Sequence, residues 1–457
     1  MRNYIVLVVL GLLIQLAACG SVKQWLVDLV TPWWPDTLGG VTPWELDSQP
    51  LHGYALPTYG NWSSDQGWSV YARGFAFKKP PMSDERVDKI ANIPLKLGNA
   101  RMEDLPPWQR DHARQFIRQF VISKRGFVPV GIRVSLEREW DGNYADIGLP
   151  HPTSLEGDFH EMVRLPTDGN PDLSSGEGLT AIQQLAYRVQ SDLTPGNETD
   201  LDPANSVAAP VYLVPPTGLT FISDIDDVLR VAKMWRTGDT IFETVANVMR
   251  PWLNMPDVFQ GWARRWPSAH FHYVSTTLEQ NTPRYLEMLM RWYPRGSVST
   301  RPTDIITGSR EWGVLTALQS FPNRRFVLVG DTTNEDAMEW YPKLERMFPY
   351  RVSCILIRDT ATTEPTDDIP YSLEAFKNVP RDKFMLFKTP DDLVGIDFEK
   401  GECNNGHGLP PDFGEHKKTP NLWSSIKGWF WRKFHCFGTR CHDGFGWHKD
   451  PPMPQPE

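Results

Sequence analysis

The sequence has no excess of basic residues, because 47 Lys and Arg stand against 56 Asp and Glu, which gives a formal net charge of -9 over 457 residues. Proteins dedicated to nucleic-acid binding usually carry a basic balance. The charge therefore argues against that class of protein, and we expect no nucleic-acid partner. A chain of this length can form two or three domains with sizeable cores.

Cysteine is scarce, with five residues in the whole chain. Cys19 follows the N-terminal apolar segment, and Cys354 lies within RVSCILIRD, where the favoured interpretation is a small buried side chain in a core strand. Cys403, Cys436 and Cys441 lie near the C-terminus, where an oxidising compartment favours at least one disulfide. A zinc cluster with nearby histidines is the alternative, but the spacings match no common zinc module.

The apolar run at the N-terminus is short, extending from Tyr4 to Leu16, with one Arg before it and small residues after it. This pattern is typical of a cleaved signal peptide, so we expect residues 1–20 to be removed and the protein to be secreted. Two alternatives stay open. An uncleaved segment could anchor the protein in a membrane, although the run is short for that purpose, and the sequence LAAC at 16–19 resembles a bacterial lipobox.

Composition and patterning divide the rest of the chain into segments. Short strand-like runs between turn residues predict a β-rich, sandwich-like accessory domain. A polar, proline-bearing stretch with few apolar residues is typical of a linker. The predicted boundaries are an irregular N-terminal arm over 21–65, the β-rich accessory domain over 66–191, the linker over 192–209, an α/β domain over 210–395, and a Cys- and aromatic-rich tail over 396–457.

Strands and helices alternate after the linker, an order that predicts a parallel sheet covered on both faces, with its strand ends at one edge. The predicted strands are APVYLV, LTFISD, HFHYVST, RRFVLVGD and RVSCILIRD.

Helical spacing predicts three helices, one of them ahead of the linker. They are a helix over 106–119 that buries Trp108, Phe116 and Ile117, a helix from Thr282 that buries Leu286, Leu289, Met290 and Tyr293, and a helix over 311–320 that buries Val314, Leu315 and Leu318.

Three predicted strands end in residues that can carry chemistry. The first delivers Asp224 and Asp226, the second Ser275, and the third Asp331, with Asp336 shortly after it. Carboxylates crowded at one sheet edge repel one another unless a cation is present, so the pattern indicates a metal site. Taken singly, each feature has a structural alternative, such as a helix cap or an ordinary turn. Together they favour the functional interpretation.

The segments ISDIDDVLR, FHYVSTT, FVLVGDTTNEDAMEWY and PYRVSCILIRD resemble, as a set, the signature blocks of the fungal actin-patch phosphatidate phosphatase family, a branch of the haloacid dehalogenase superfamily. The resemblance spans roughly 210–359, and GWSVYARGFAF is similar to the opening of the smaller domain that precedes the catalytic one in that family. It implies a Rossmann-like parallel sheet with a small cap, dependence on Mg²⁺, and hydrolysis of phosphatidic acid, a phospholipid, to diacylglycerol.

The resemblance also implies a role for each residue. Asp224 would attack phosphorus and become an aspartyl phosphate, and Asp226 would act as general acid and then general base. Ser275 would bind a phosphoryl oxygen, and Arg310 stands where the family tends to have Lys. The ligands implied for Mg²⁺ are Asp224, Asp226, Asp331 and Asp336.

Departures from the family pattern leave the substrate open. After Ser275, the sequence Thr277-Leu278-Glu279 lacks the Pro-Trp pair of the family. A soluble phosphomonoester is the alternative substrate, and a catalytically silent secreted binding protein is the alternative function. The segment between Val228 and His270 is expected to form the cap.

The tail segment from Leu422 to Phe437 sets aromatic and basic residues at helical spacing. A short helix of this kind can lie in a membrane interface, which would suit a lipid phosphatase. The alternative is that the segment docks on the catalytic domain.

Overall fold

The computed structural model describes residues 43–136, 144–166, 176, 179–191, 206–301, 309–364, 369, 371–406 and 408. The predicted signal peptide, most of the predicted linker and the segment from Leu422 to Phe437 lie outside these ranges. Within them, no helix has both the length and the apolar character needed to cross a bilayer.

The N-terminal part contains one nine-stranded sheet. Its strands follow the order β1-β3-β2-β9-β8-β5-β6, and β4 and β7 also pair with β3. The elements are α1 (Pro43–Asp47), β1 (His52–Ala55), β2 (Thr58–Ser63), β3 (Gly67–Lys78), α2 (Asp84–Leu97), α3 (Pro107–Phe120), β4 (Ser123–Lys124), β5 (Val130–Leu136), β6 (Tyr144–Gly148), β7 (Asp158–Arg164), β8 (Gln183–Ser191) and β9 (Ala209–Leu213).

Alternate residues of this sheet form one apolar core. Val70 and Ala72 of β3 lie in the same cluster as Ile132 of β5 and Val189 of β8. Because side chains from distant strands meet on one face, the sheet curls around its own core. The β-rich character is as expected, but one continuous curved sheet replaces the expected sandwich-like arrangement.

The extent of this sheet also corrects two expectations. Residues 52–63 form β1 and β2 and are not part of an irregular arm. The segment APVYLV is a strand, as expected, but it pairs with β2 and β8 and does not join the parallel sheet. Strand pairing at this point is nonlocal, so the local pattern could not specify the partner.

The second sheet has six strands in the order β12-β11-β10-β13-β14-β15, and every pairing is parallel, as predicted. Its elements are β10 (Gly218–Asp224), α4 (Thr237–Val245), α5 (Met255–Arg265), β11 (His270–Leu278), α6 (Thr282–Trp292), β12 (Ser297–Arg301), α7 (Ser309–Ser320), β13 (Arg324–Asp331), α8 (Glu335–Met347), β14 (Val352–Arg358), α9 (Thr360–Thr363) and β15 (Phe384–Phe387).

Both faces of the parallel sheet are buried, which explains its near-continuous apolar strands. Phe221 of β10 stacks on Trp262 of α5 with ring centroids 4.8 Å apart. The next residue, Ile222, lies on the opposite face in a cluster with Val314 of α7 and Leu344 of α8. The core of this sheet therefore holds the ends of its strands in fixed positions.

The predicted helices form, with some differences in their buried faces. In α3, Phe116 and Ile117 are buried as expected, but Trp108 is 52% exposed. In α6, Leu289 is buried whereas Met290 is 72% exposed, because the inward face runs through Tyr285 and Leu289. In α7, Val314 and Leu318 are buried as expected. Apolar side chains at a helix edge do not reveal which way the helix is rotated.

The segment between Val228 and His270, which was expected to form a cap, contains α4 and α5, and these two helices pack in different places. Helix α5 covers the parallel sheet, and α4 packs against α2 and α3 through Ile241 and Val245. Leu278, at the end of β11, belongs to the same cluster. The helices beside this strand end therefore come mainly from the N-terminal part, which corrects the expected cap. Helix α2 was not predicted, although Ser83 caps it, because Pro94 interrupts its pattern.

A disulfide joins Cys354 of β14 to Cys403, and both side chains are buried. The expectation that Cys354 is an unbonded small side chain is wrong. Cys403 does form a disulfide, but its partner comes from the sheet, since the return of the chain after β15 brings the two residues together. Cys436 and Cys441 lie outside the described residues.

Candidate active site

The residues predicted from the strand ends gather at one edge of the parallel sheet. Asp224 ends β10 and Asp331 ends the neighbouring β13, while Ser275 lies near the end of β11 on the other side of β10. Asp226 follows β10 directly. All four side chains are at least 95% buried. Their convergence follows from the parallel order of the strands.

Asp224 is held by two neutral donors. The backbone N–H of Ile225 donates to Oδ1 at 2.9 Å, and the Asn334 amide nitrogen donates to Oδ2 at 2.7 Å. Neither donor carries a charge, so this part of its surroundings fixes the orientation of the carboxylate without neutralising it. Asn334 was not singled out in the sequence, although it lies between Asp331 and Asp336.

Asp226 has a different environment, made of charged and hydroxyl donors. Arg230 Nε donates to Oδ1 at 2.7 Å, and the Tyr285 hydroxyl lies 2.9 Å from the same oxygen. Ser275 Oγ donates to Oδ2 at 2.8 Å. Burial raises the pKa of Tyr285 well above its usual value, so its hydroxyl stays protonated and can donate. Both oxygens of Asp226 are therefore fixed from several sides.

Arg230 connects Asp226 to two helices. Its Nη2 atom lies 3.2 Å from both Thr244 Oγ1 of α4 and the Tyr285 hydroxyl of α6. The guanidinium group also lies over the Tyr285 ring, 4.9 Å from its centroid. The spacing of Arg230 after Asp226 was visible in the sequence, but the contribution of Tyr285 depends on how α6 packs and had no local signal.

Asp227 organises the loop that follows β10. It has a positive φ of 57° and accepts hydrogen bonds from the backbone N–H groups of Ala232, Lys233 and Met234. Burial and then the charge of Asp331 raise the pKa of Asp227 to about 6. The carboxylates of this edge are therefore close enough to repel one another.

The residues from Asp331 to Asp336 make contacts in different directions. Asp331 Oδ1 accepts from the backbone N–H of Thr333 at 2.8 Å and from the Thr333 hydroxyl. Asp336 lies in the first turn of α8, where it lines a cavity with Glu311 and Val314 of α7. From this segment, Asn334 makes a direct contact with Asp224. Asp336 thus lies beside α7, and its role as a metal ligand stays a prediction.

Arg310 is the second residue of α7, but its side chain lies outside the described part of the structure. The prediction that it binds phosphate stays a prediction.

A polar segment after β11 extends the site beyond the predicted residues. The Asn281 amide donates to Thr277 Oγ1 at 3.0 Å, and the Thr277 N–H donates to Ser275 Oγ at 3.1 Å, which connects this segment to Asp226. Both amide atoms of Gln280 and Oδ1 of Asn281 are buried without a hydrogen-bond partner among the described residues. Buried polar atoms of this kind are costly unless paired, so they are candidates for contact with a bound polar group.

The residues at this edge offer oxygen donors of the kind that Mg²⁺ prefers. Among the described residues, no group of three or more His, Cys, Asp and Glu side chains is arranged to hold a metal. Mg²⁺ is, however, commonly bound by one or two carboxylates, with water and phosphate completing the shell. Asp224 and Asp331 offer such a pair of oxygen donors on adjacent strands, whereas Asp226 is already engaged by Arg230, Ser275 and Tyr285.

A comparison with known protein families found a match within the chain. Residues 219–359 match the family described as phosphatidate phosphatase APP1, catalytic domain. The match extends from β10 to the residue after β14 and so includes the strand ends that carry Asp224, Ser275 and Asp331. A comparison with curated proteins found no match. The region from 219 to 359 is therefore similar to a phosphatidate phosphatase catalytic domain, which is a phosphoric monoester hydrolase.

Proposed function

We propose that the protein is a Mg²⁺-dependent phosphatidate phosphatase of the haloacid dehalogenase type, which converts phosphatidic acid to diacylglycerol through an aspartyl phosphate. The proposal rests on two buried carboxylates in the family-matched region, at the end of one strand, with different environments. Asp224 accepts hydrogen bonds from two neutral donors that orient it for attack, and Asp226 accepts hydrogen bonds from Arg230, Ser275 and Tyr285, which fix the direction of its oxygens.

In the first step, a carboxylate oxygen of Asp224 forms a bond to phosphorus while the bond from phosphorus to the glycerol oxygen breaks. Asp226 gives its proton to that leaving oxygen, which departs as the hydroxyl of diacylglycerol. The hydrogen bonds from Ser275 and Tyr285 orient Asp226 for this transfer. The fixed positions of both carboxylates supply the alignment on which such reactions depend.

In the second step, a water molecule attacks the phosphorus of the aspartyl phosphate and gives a proton to Asp226. The bond between phosphorus and the Asp224 oxygen breaks, which releases inorganic phosphate and restores both carboxyl groups. Ser275, once it exchanges its bond to Asp226 for one to a phosphoryl oxygen, and Arg310 would stabilise the charge on the phosphoryl group.

When bound, Mg²⁺ would neutralise the repulsion between the anionic nucleophile and the anionic phosphate. Asp224 and Asp331 would hold it, and we retain Asp226 and Asp336 as further proposed ligands. The mutual repulsion of buried Asp227 and Asp331 supports a cation at this edge.

The substrate class has one alternative. Thr277, Gln280 and Asn281 give the segment after Ser275 a polar and buried character. This favours contact with a hydroxyl or ester oxygen next to the scissile phosphate, which phosphatidic acid provides. A small soluble phosphomonoester also provides such an oxygen and is the second candidate.

We also propose that the protein is secreted. The Cys354–Cys403 disulfide supports this, because structural disulfides are typical of oxidising compartments. A membrane-anchored form with an uncleaved N-terminus is the alternative.

The test is phosphate release from phosphatidic acid in micelles and from para-nitrophenyl phosphate, each with and without Mg²⁺. It compares the full chain with Asp224→Asn, and Asp239→Asn is the control because Asp239 is about half exposed in α4. We expect Mg²⁺-dependent release from the lipid that is lost only in Asp224→Asn. Release from the soluble ester alone would reject the lipid substrate, and no release by folded protein would reject the enzyme.

A further inference from the structure

A cleft lies outside the residues assigned to catalysis. It is bounded by α3, by α6 and by the segment after α4, and we call it the α3–α6 cleft. Its lining combines basic and apolar side chains with one acidic residue, and consists of His112, Val248, Met249, Arg284, Glu287, Met288, Arg291 and Trp292.

Arg284 places a buried cation in this cleft. It is 6% exposed, and its Nε atom is buried without a hydrogen-bond partner among the described residues. Its Nη2 atom contacts His112 Nε2. A guanidinium group removed from water with an unused N–H is costly unless an anion or acceptor binds it. Arg284 therefore adds a buried positive charge to the wall of the cleft.

The other titratable groups of the cleft do not balance the positive charge of Arg284. Glu287 is the one carboxylate of the lining, and its side chain is 71% exposed with an oxygen 3.9 Å from Arg284 Nη1. Burial and the charge of Arg284 lower the pKa of His112 to about 4, so His112 is neutral near pH 7 and can accept from Arg284. The positive charges of Arg284 and Arg291 thus exceed the charge of the solvated Glu287 carboxylate, so the cleft favours binding of an anion.

The rim of the cleft is apolar and exposed. Val248 is 45% exposed and Trp292 is 39% exposed. The Arg291 guanidinium group lies over the Trp292 ring, 5.1 Å from its centroid. Tryptophan is enriched at the boundary between lipid headgroups and acyl chains, and arginine can lay its apolar stem there while its charge stays in the polar layer. The occupant is therefore expected to be anionic at one end and apolar at the other.

We propose that the α3–α6 cleft binds the phosphate group of an anionic phospholipid at a bilayer surface. Arg284 and Arg291 contact the phosphate, and Val248 and Trp292 contact the region where the acyl chains begin. This site would hold the protein on the surface that contains lipid, and it does not depend on the proposed hydrolysis. The cleft would recognise a phosphate group. A lipid headgroup is the proposed source of that group, and a soluble phosphate compound is the alternative source.

The test is co-sedimentation of the full chain with vesicles of phosphatidylcholine alone or mixed with phosphatidylserine. Phosphatidylserine is not a phosphomonoester, so binding is measured without turnover. We expect binding to the mixed vesicles only, weakened about fivefold by Arg291→Gln, as for loss of one cation near an anionic surface. The matched control is Arg264→Gln, since Arg264 is an exposed arginine in the last turn of α5.

Equal binding to both vesicle types, or equal loss in Arg291→Gln and Arg264→Gln, would overturn the proposal. Binding of inorganic phosphate or glycerol 3-phosphate that changes on Arg284→Met, without any vesicle binding, would assign the cleft to a soluble phosphate and overturn the lipid. Asp224→Asn should bind vesicles like the unaltered chain, so that failure of the proposed phosphatase activity leaves this test intact.

Discussion

Arg73 and Glu279 form a buried ion pair between the two sheets of the protein. Arg73 Nη2 donates to Glu279 Oε1 at 2.7 Å, and the side chains are 2% and 3% exposed. Arg73 lies in β3, whereas Glu279 follows β11 just after Ser275. Arg73 also donates to the backbone carbonyl of Thr300 at 3.1 Å. The N-terminal sheet thus supports the strand end that carries part of the candidate site.

Replacing Arg73 with Met should strongly destabilise the protein. The change removes the nearer of two described cations beside the buried Glu279 carboxylate and leaves Lys124 at 3.5 Å. Removing one partner of a buried pair typically costs about 3–5 kcal/mol. Urea unfolding of the full chain measures this loss of stability.

Arg133→Met is the matched control for that measurement, because Arg133 pairs with Asp146 while both are about one-third exposed. We expect that control to cost below about 1 kcal/mol. Equal losses in the two variants would contradict the importance that we assign to the buried pair.

Tyr285→Phe should impair turnover more than folding. The variant loses the hydroxyl that donates to Asp226 and leaves the ring in place. We expect kcat to fall about tenfold with KM unchanged and the pH profile of kcat to shift, because the hydroxyl orients the proton donor. The loss of stability should be about 1 kcal/mol.

Tyr293→Phe is the matched control, since its hydroxyl is also buried but donates to the backbone carbonyl of Leu229. Steady-state kinetics on the proposed substrate compares the two variants. The same kcat in both would show that the Tyr285 hydroxyl has no role beyond packing.

The positions of Asp224, Ser275 and Asp331 could be predicted from the sequence because a parallel sheet brings the ends of its strands to one edge, whatever the details of packing. Tyr285 and Asn334 could not be predicted in this way. Their contacts depend on the rotation of α6 and on the conformation of the loop after β13, which the local pattern does not specify.

Arg73 shows the same limit over a longer distance. A charged residue inside the apolar strand GWSVYARGFAF is visible in the sequence, but its partner is 206 residues away. The pairing of β9 and the disulfide of Cys354 are nonlocal too. Local periodicity therefore predicts elements and strand ends well, and contacts between distant segments poorly.

The contribution of His272 to the stability of the protein should be lost as the pH is lowered below neutrality. Burial, followed by the charge of Arg73, lowers the pKa of His272 to about 3, and Ser297 Oγ lies 2.7 Å from its Nδ1. A pKa below the unfolded value of about 6.5 means that the contribution is complete above that pH and is lost as the pH falls toward 3. Between pH 7 and pH 5 the loss is about 2 kcal/mol.

Urea unfolding at pH 7 and pH 5, for the full chain and for His272→Asn, measures the loss of stability that is due to His272. The variant should lose less stability on acidification than the unaltered chain. His151→Asn is the control, because His151 is 74% exposed and should not change the pH dependence. An unchanged dependence in His272→Asn would show that other groups are responsible.

The Cys354–Cys403 disulfide should stabilise the protein by an amount set by the chain segment that it closes. The two residues are separated by 49 positions, and chain entropy predicts about 4 kcal/mol for a loop of this size. Urea unfolding with and without a reducing agent should show the difference for the full chain, but not for a variant with both cysteines replaced by alanine. Because both side chains are buried, reduction should require unfolding. Labelling of either thiol in the native, unreduced protein would contradict the disulfide itself.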